Sequence, residues 1–170
     1  MNDSSPLRVL GIDPGSRLCG FGVVDETRGG MTHIECGGIA PPARADLGRR
    51  LSFIYDEVTR LIAEFQPAVA AFEQVIYAQN VKSALVLGQA RGAALLAVTH
   101  AGLPMHEYTP TQIKKAVTGY GRADKNQVAM MIQSLLNLPE PAMADASDAL
   151  AAAVCHLSSY RYLAQTTEAP

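Results

Sequence analysis

The chain has 170 residues, 48% apolar and 18% charged, which fits a folded globular protein with a substantial core and argues against disorder. Its net charge is −2, and its three cysteines (Cys19, Cys36, Cys155) show no CxxC spacing; this gives no support for a zinc site and favours reduced thiols in a cytoplasmic protein. No uninterrupted apolar run is long enough to cross a bilayer, and no signal-peptide core follows the polar N-terminus, so no membrane contact is expected.

Residues 7–13 (LRVLGID) read as a buried strand stopped by Pro14-Gly15, and residues 18–25 and 31–40 as two more strands joined by a turn at Arg28-Gly29-Gly30. Together they predict an antiparallel meander. From Asp46, placed to cap a helix, the period changes: Leu47, Leu51, Ile54, Tyr55, Val58, Leu61, Ile62 and Phe65 fall at helical spacing until Pro67. Residues 68–75 (AVAAFEQV) predict a central strand, 81–101 an Ala- and Gly-rich helix ending near Gly102, and 103–109 a last strand. Pro110 opens a short helix to Val117, Asp124 caps another reaching Leu136, and a final helix runs from Ala144 to Leu163. This order describes an α/β fold on a mixed sheet, whose ligands gather at strand ends. Residues 1–170 are expected to form a single domain, with 1–6 and 165–170 frayed.

Four carboxylates carry the chemistry. Asp13 ends an apolar strand within Gly11-Ile12-Asp13-Pro14-Gly15-Ser16, where Gly11 and Gly15 leave room for a ligand near the backbone. Glu73 ends another, where a buried, unpaired carboxylate would cost several kcal/mol, roughly, without a cation. Asp145 and Asp148, at i,i+3 spacing, share one helical face, and the flanking alanines let that helix pack close to a sheet. Like charges this close disfavour ionisation, and hard oxygen donors of this kind suit Mg²⁺ or Mn²⁺. A turn role for Asp13, exposure for Glu73 and helix capping for Asp145 and Asp148 remain open at this level.

The charge is unevenly spread. Lys82, Arg91, Lys114, Lys115, Arg122 and Lys125 face only Glu107 and Asp124 in the same segment, which is therefore +4 and leaves −6 for the remainder. Such a distribution permits one basic, nucleic-acid-binding face, or simply a solvated helix surface. Lys114 and Lys125 flank a glycine-containing loop, Thr118-Gly119-Tyr120-Gly121-Arg122, in which lysines can contact phosphates. Tyr77 offers a ring for stacking on an unpaired base, or for packing in the rim of the core. His100, His106 and His156 show no ligand spacing and read as structural; Cys19 and Cys155 read as small core residues.

The ordered set GIDPGS at 11–16, FEQV at 72–75, SALVLGQARG at 83–92, the Lys114 and Lys125 segments, and ADASDALA at 144–151 resembles the RuvC family of bacterial Holliday-junction resolvases over roughly Leu7 to Tyr160. The resemblance implies a ribonuclease-H-like fold, a five-stranded mixed sheet with helices on both faces. It implies a homodimer that nicks two opposing strands of a four-way DNA junction symmetrically, leaving 5′-phosphate and 3′-hydroxyl ends, alongside branch-migration motor proteins. It places the family's metal-binding acids on Asp13, Glu73, Asp145 and Asp148, with two divalent ions about 4 Å apart, Mg²⁺ or Mn²⁺. Lys114 and Lys125 take the positions of its active-site basic residues, for phosphate positioning and transition-state charge, with Lys125 also assisting proton transfer. A family aromatic at the junction centre corresponds here to Ile76, with Tyr77 beside it: either Tyr77 stacks or Ile76 acts as an apolar wedge. Lys82, Arg91, Lys115 and Arg122 complete the expected DNA-binding set. The small residues Gly88, Ala90, Gly92, Ala93 and Ala94 suit a helix that approaches a second copy closely. The competing readings are a junction- or single-strand-binding module without cleavage, and a nuclease acting on RNA–DNA hybrids.

Overall fold

The computed structural model describes residues 6–74 and 81–167. Its elements follow the chain as β1 (Leu7–Asp13), β2 (Cys19–Thr27), β3 (Gly30–Ile39), α1 (Leu47–Phe65), β4 (Val69–Glu73), α2 (Val81–His100), β5 (Met105–Tyr108), α3 (Pro110–Thr118), α4 (Lys125–Leu135) and α5 (Ala144–Thr167). The strands lie in the order β3-β2-β1-β4-β5. The first three form the antiparallel meander, and β4 and β5 add to it in parallel.

Strand alternation divides the core in two. Leu10, Ile12, Ala70 and Phe72 pack with Ile54, Val58 and Leu61 of α1 and with Ala90, Ala94 and Val98 of α2. Val9, Val69 and Ala71 face the other way, onto Ile113 and Val117 of α3, Val128 and Ile132 of α4, and Leu150, Val154 and Leu157 of α5. By the same period of two, Asp13 and Glu73 belong to the α3–α5 side.

Helix α5 crosses the sheet with almost no space between backbones. A Cβ at Gly11 would lie 1.9 Å from the carbonyl oxygen of Ala149, and one at Gly20 would lie 2.0 Å from that of Asp145. The space expected beside Gly11 for a ligand is thus filled by α5 itself, and at Gly15 by the Leu18 carbonyl at 2.0 Å. The helix continues to Thr167, beyond the expected end at Leu163 and into the segment expected to fray. Its alanines at 146, 149, 151, 152 and 153 are all buried, as close helix–sheet approach requires.

The expected caps are present. Asp46 accepts the Arg49 N–H at 2.9 Å, and Asp124 and Gln127 form a reciprocal capping box at the start of α4. Arg8 fastens β1 to β2 by a two-pronged ion pair with the buried Asp25, at 2.6 and 2.8 Å, and its third nitrogen reaches the Phe65 carbonyl at 2.8 Å.

Among the described residues α2 alone is long and apolar enough to cross a membrane by length and composition, with a mean hydropathy of 1.3. Only its inner stripe is buried, so much of that apolar character lies on its outer surface. His100 and His156 are structural, as expected: each Nδ1 bonds a tyrosine hydroxyl, Tyr55 at 2.9 Å and Tyr108 at 2.8 Å.

Candidate active site

The site lies at the C-terminal ends of two neighbouring parallel strands. Register pairs Ile12 with Phe72, so the next residues, Asp13 and Glu73, emerge side by side. Pro14 ends β1 immediately after Asp13, and the following loop is held from α1, where an Arg50 N–H donates to the Ser16 carbonyl.

A cleft of about 230 Å³ opens here, lined by Asp13, Glu73, Pro110, Ile113, Lys114, Lys125, Val128 and Asp148. Each layer of the α3–α5 side contributes: Lys114 from α3, Lys125 from the first position of α4, and Asp148 from the second turn of α5. The glycine-lined approach of α5 delivers Asp148, because any larger residue at position 11 would hold that helix away from β1.

Burial and mutual repulsion both act on the acids. The Asp13 carboxyl is pushed up from 3.8 to about 7, first by burial and then by the charges of Asp148, Glu73 and Asp145. Glu73 is raised too, by burial and by Asp148, while Lys125 and Lys114 pull it down. Lys125 donates to Asp148 at 2.8 Å, and its ammonium pKa is raised first by that hydrogen bond and then by the carboxylate's charge. Among the described residues no three acidic, histidine or cysteine side chains are already drawn together as an ion's ligand shell. The Lys125 ammonium bonds one of the acids, Asp148.

Asp145 stands slightly apart. It occupies the first turn of α5, close enough for its charge to act on Asp13, but it does not line the cleft. None of the hydrogen bonds among the described residues runs from a first-turn N–H to its carboxylate.

Lys82, Lys115 and Arg122 are exposed, as a DNA-binding role requires. Arg91 corrects the expectation. Its side chain is only 13% exposed and its guanidinium is spent on Glu107, on the Glu73 carbonyl and on the face of Phe72. It is turned toward the protein, with its nitrogens engaged by Glu107 and the Glu73 carbonyl. Ile76 and Tyr77 lie outside the described residues. Sequence reasoning missed Arg50 as the anchor of the loop after Asp13, and missed Gly20 and Gly22 as the floor under α5. The glycines did leave a signal: they sit at alternate positions of a strand, where a close backbone neighbour is the usual cause.

The arrangement has known counterparts. A sequence profile for Crossover junction endodeoxyribonuclease RuvC matches residues 9–156. The Geobacter sulfurreducens protein of that name is 53% identical over 153 residues, spanning 90% of this chain and 93% of its own. The Thermus thermophilus RuvC structure superposes with a TM-score of 0.83 at 33% identity, covering 91% of this chain and 96% of its own. The structure of T. thermophilus RuvC in complex with Holliday junction substrate gives 0.86 at 32% identity, covering 92% and 96%.

Proposed function

Because the chain belongs to the RuvC family of crossover junction endodeoxyribonucleases, we propose that the acid cleft hydrolyses phosphodiester bonds at four-way DNA junctions. Two opposing strands are nicked symmetrically, leaving 5′-phosphate and 3′-hydroxyl ends. The observation that carries this reading is the meeting of Asp13, Glu73 and Asp148 in a cleft that also holds two lysines, where burial first and the neighbouring acids second push the Asp13 carboxyl up to about 7. Mutual repulsion among carboxylates is what a hard divalent cation relieves, so the donor set fits Mg²⁺ or Mn²⁺.

Asp13, Glu73 and Asp148 would hold such ions, two per site, with Asp145 completing the set beside Asp13. When bound, the ions supply Lewis-acid polarisation of the phosphodiester and a more acidic water. The chain's own contribution is orientation and charge. Lys114 reaches the cleft from α3 and suits a phosphate oxygen. Lys125, kept protonated beside Asp148, is a donor suited to the departing 3′ oxygen. Lys82, Lys115 and Arg122 extend a cationic surface for the junction arms, and Ile76 or Tyr77 acts at the junction centre.

A junction has two-fold symmetry, and a homodimer supplies two clefts in matching relation. Val81, Leu85, Gly88, Gly92 and Leu96 line the outer stripe of α2 at helical spacing, with Val81 77% and Leu85 62% exposed. Gly88 and Gly92 have nothing within 4 Å of an added Cβ, which leaves room for a second helix. The three cysteines are unpaired, which suits a cytoplasmic protein acting with branch-migration motors.

The test is nicking of a synthetic four-way junction with Mg²⁺ or Mn²⁺, against an RNA–DNA hybrid competitor. Asp13→Asn and Asp148→Asn should each lower the rate about 100-fold or more while junction binding persists. Asp145→Asn should do the same, and a wild-type rate in that variant would return Asp145 to a first-turn charge. Cleavage that survives Asp13→Asn and Asp148→Asn would sink the reading.

A further inference from the structure

The peptide group that follows Glu73 is gripped from both sides. Its N–H, on Gln74, donates to the Tyr108 carbonyl of β5 at 2.8 Å. Its carbonyl, on Glu73, points the opposite way across the trans peptide and accepts from Nη1 of Arg91 at 2.9 Å. On that side the β1 ladder has run out: its last pair is Ile12 with Phe72, and two residues on stands Pro14, which has no N–H to give. An arginine from α2, on the face of the sheet away from the cleft, supplies the missing donor.

Arg91 is itself held in place. Its guanidinium lies 5.5 Å from the centre of the Phe72 ring, and it pairs with Glu107, the β5 residue registered opposite Phe72. Stacking, ion pair and carbonyl contact use the planar fork in three directions, which a lysine ammonium cannot reproduce.

We propose that Arg91 is a positioning residue for Glu73: by fixing the peptide after it, the guanidinium sets the direction from which the Glu73 carboxylate enters the cleft. The inference rests on the reading of Glu73 as a cation ligand. Arg91 never touches the carboxylate or the DNA; it acts through the main chain. Groups one step behind a ligand commonly control metal affinity or activity by about 10–100-fold.

The test compares the full-length wild type with Arg91→Met, Arg91→Lys, Glu107→Gln and Glu73→Gln. Three readouts are needed: the Mn²⁺ concentration at the midpoint of the metal-induced rise in Tm without DNA, junction binding in EDTA, and single-turnover nicking at saturating Mn²⁺. Arg91→Met should raise the Mn²⁺ midpoint about 10-fold and slow nicking by a similar factor, with junction binding within about twofold of wild type. Arg91→Lys should fall between, and Glu107→Gln should shift the midpoint the same way by less. If Arg91→Met fails to give a cooperative melt, these two variants decide the matter by the same midpoint. A wild-type midpoint in the Arg91 and Glu107 variants, with Glu73→Gln strongly shifted, overturns the role of Arg91 and leaves the Glu73 reading standing. A wild-type midpoint in Glu73→Gln overturns both. Loss of junction binding in Arg91→Met with an unchanged midpoint would make Arg91 a DNA contact instead.

Discussion

Asp13 is the residue on which the site's electrostatics turn, and its titration predicts a dependence of stability on pH. An ordinary aspartate ionises near 3.8; this one does so near 7 in the folded protein. Between those values the folded state binds a proton that the unfolded chain does not, so metal-free stability should fall as pH rises from about 4 to about 7 and level off above. Asp13→Asn removes the burden. In EDTA at pH 8 the variant should be more stable than wild type, on the order of a few kcal/mol, and the gap should close toward pH 4. Urea denaturation at both pH values checks this; a gap absent at pH 8 contradicts it. The acids were legible in the sequence because each interrupts an apolar segment, and a carboxylate in such a place needs a partner. Arg91 was not, because sequence records that a charge exists and not which way it faces. Lys115 and Arg122 project outward from exposed positions, whereas Arg91 is spaced one residue from the buried Ala90 and swings inward over Phe72.

At the level of elements, the contact between α5 and the meander decides whether the acids meet at all. Gly11→Ala would drive its methyl into the Ala149 carbonyl, a backbone atom that no rotamer change can move aside. The expected cost is about 3 kcal/mol, read by urea denaturation, with nicking reduced further because Asp148 moves with the helix. A fully stable and active Gly11→Ala protein would mean that α5 approaches β1 less closely. Strand and helix positions could be anticipated well here because local signals agree with tertiary ones: caps at Asp46 and Asp124, proline stops at Pro14 and Pro67, and a clean change of period at Leu47. The end of α5 could not, since no glycine or proline marks it before Thr167. Nor could the use of the glycines, because a gap for a ligand and a gap for a helix look alike in one dimension.

For the whole molecule, the unequal faces of α2 matter most. The inner stripe fills the core, and the outer stripe offers apolar side chains separated by glycines. The dimer proposed above predicts that Leu85→Glu gives a folded monomer at micromolar concentration, seen by sedimentation, and uncouples the two nicks so that singly nicked junctions accumulate. A dimer unaffected by Leu85→Glu would place the seam elsewhere. The basic segment also changes meaning once folded: Arg91 leaves it for the interior, and Lys125 belongs to the cleft rather than to the surface at large. Lys125 is 79% exposed along its side chain, yet its tip rests on Asp148. The protein thus carries a tethered counter-ion for Asp148. On the proposed metal site, an ion entering the cleft would compete with that ammonium for Asp148. The ammonium so displaced would be left in the cleft beside Lys114, where a phosphate oxygen is proposed to sit.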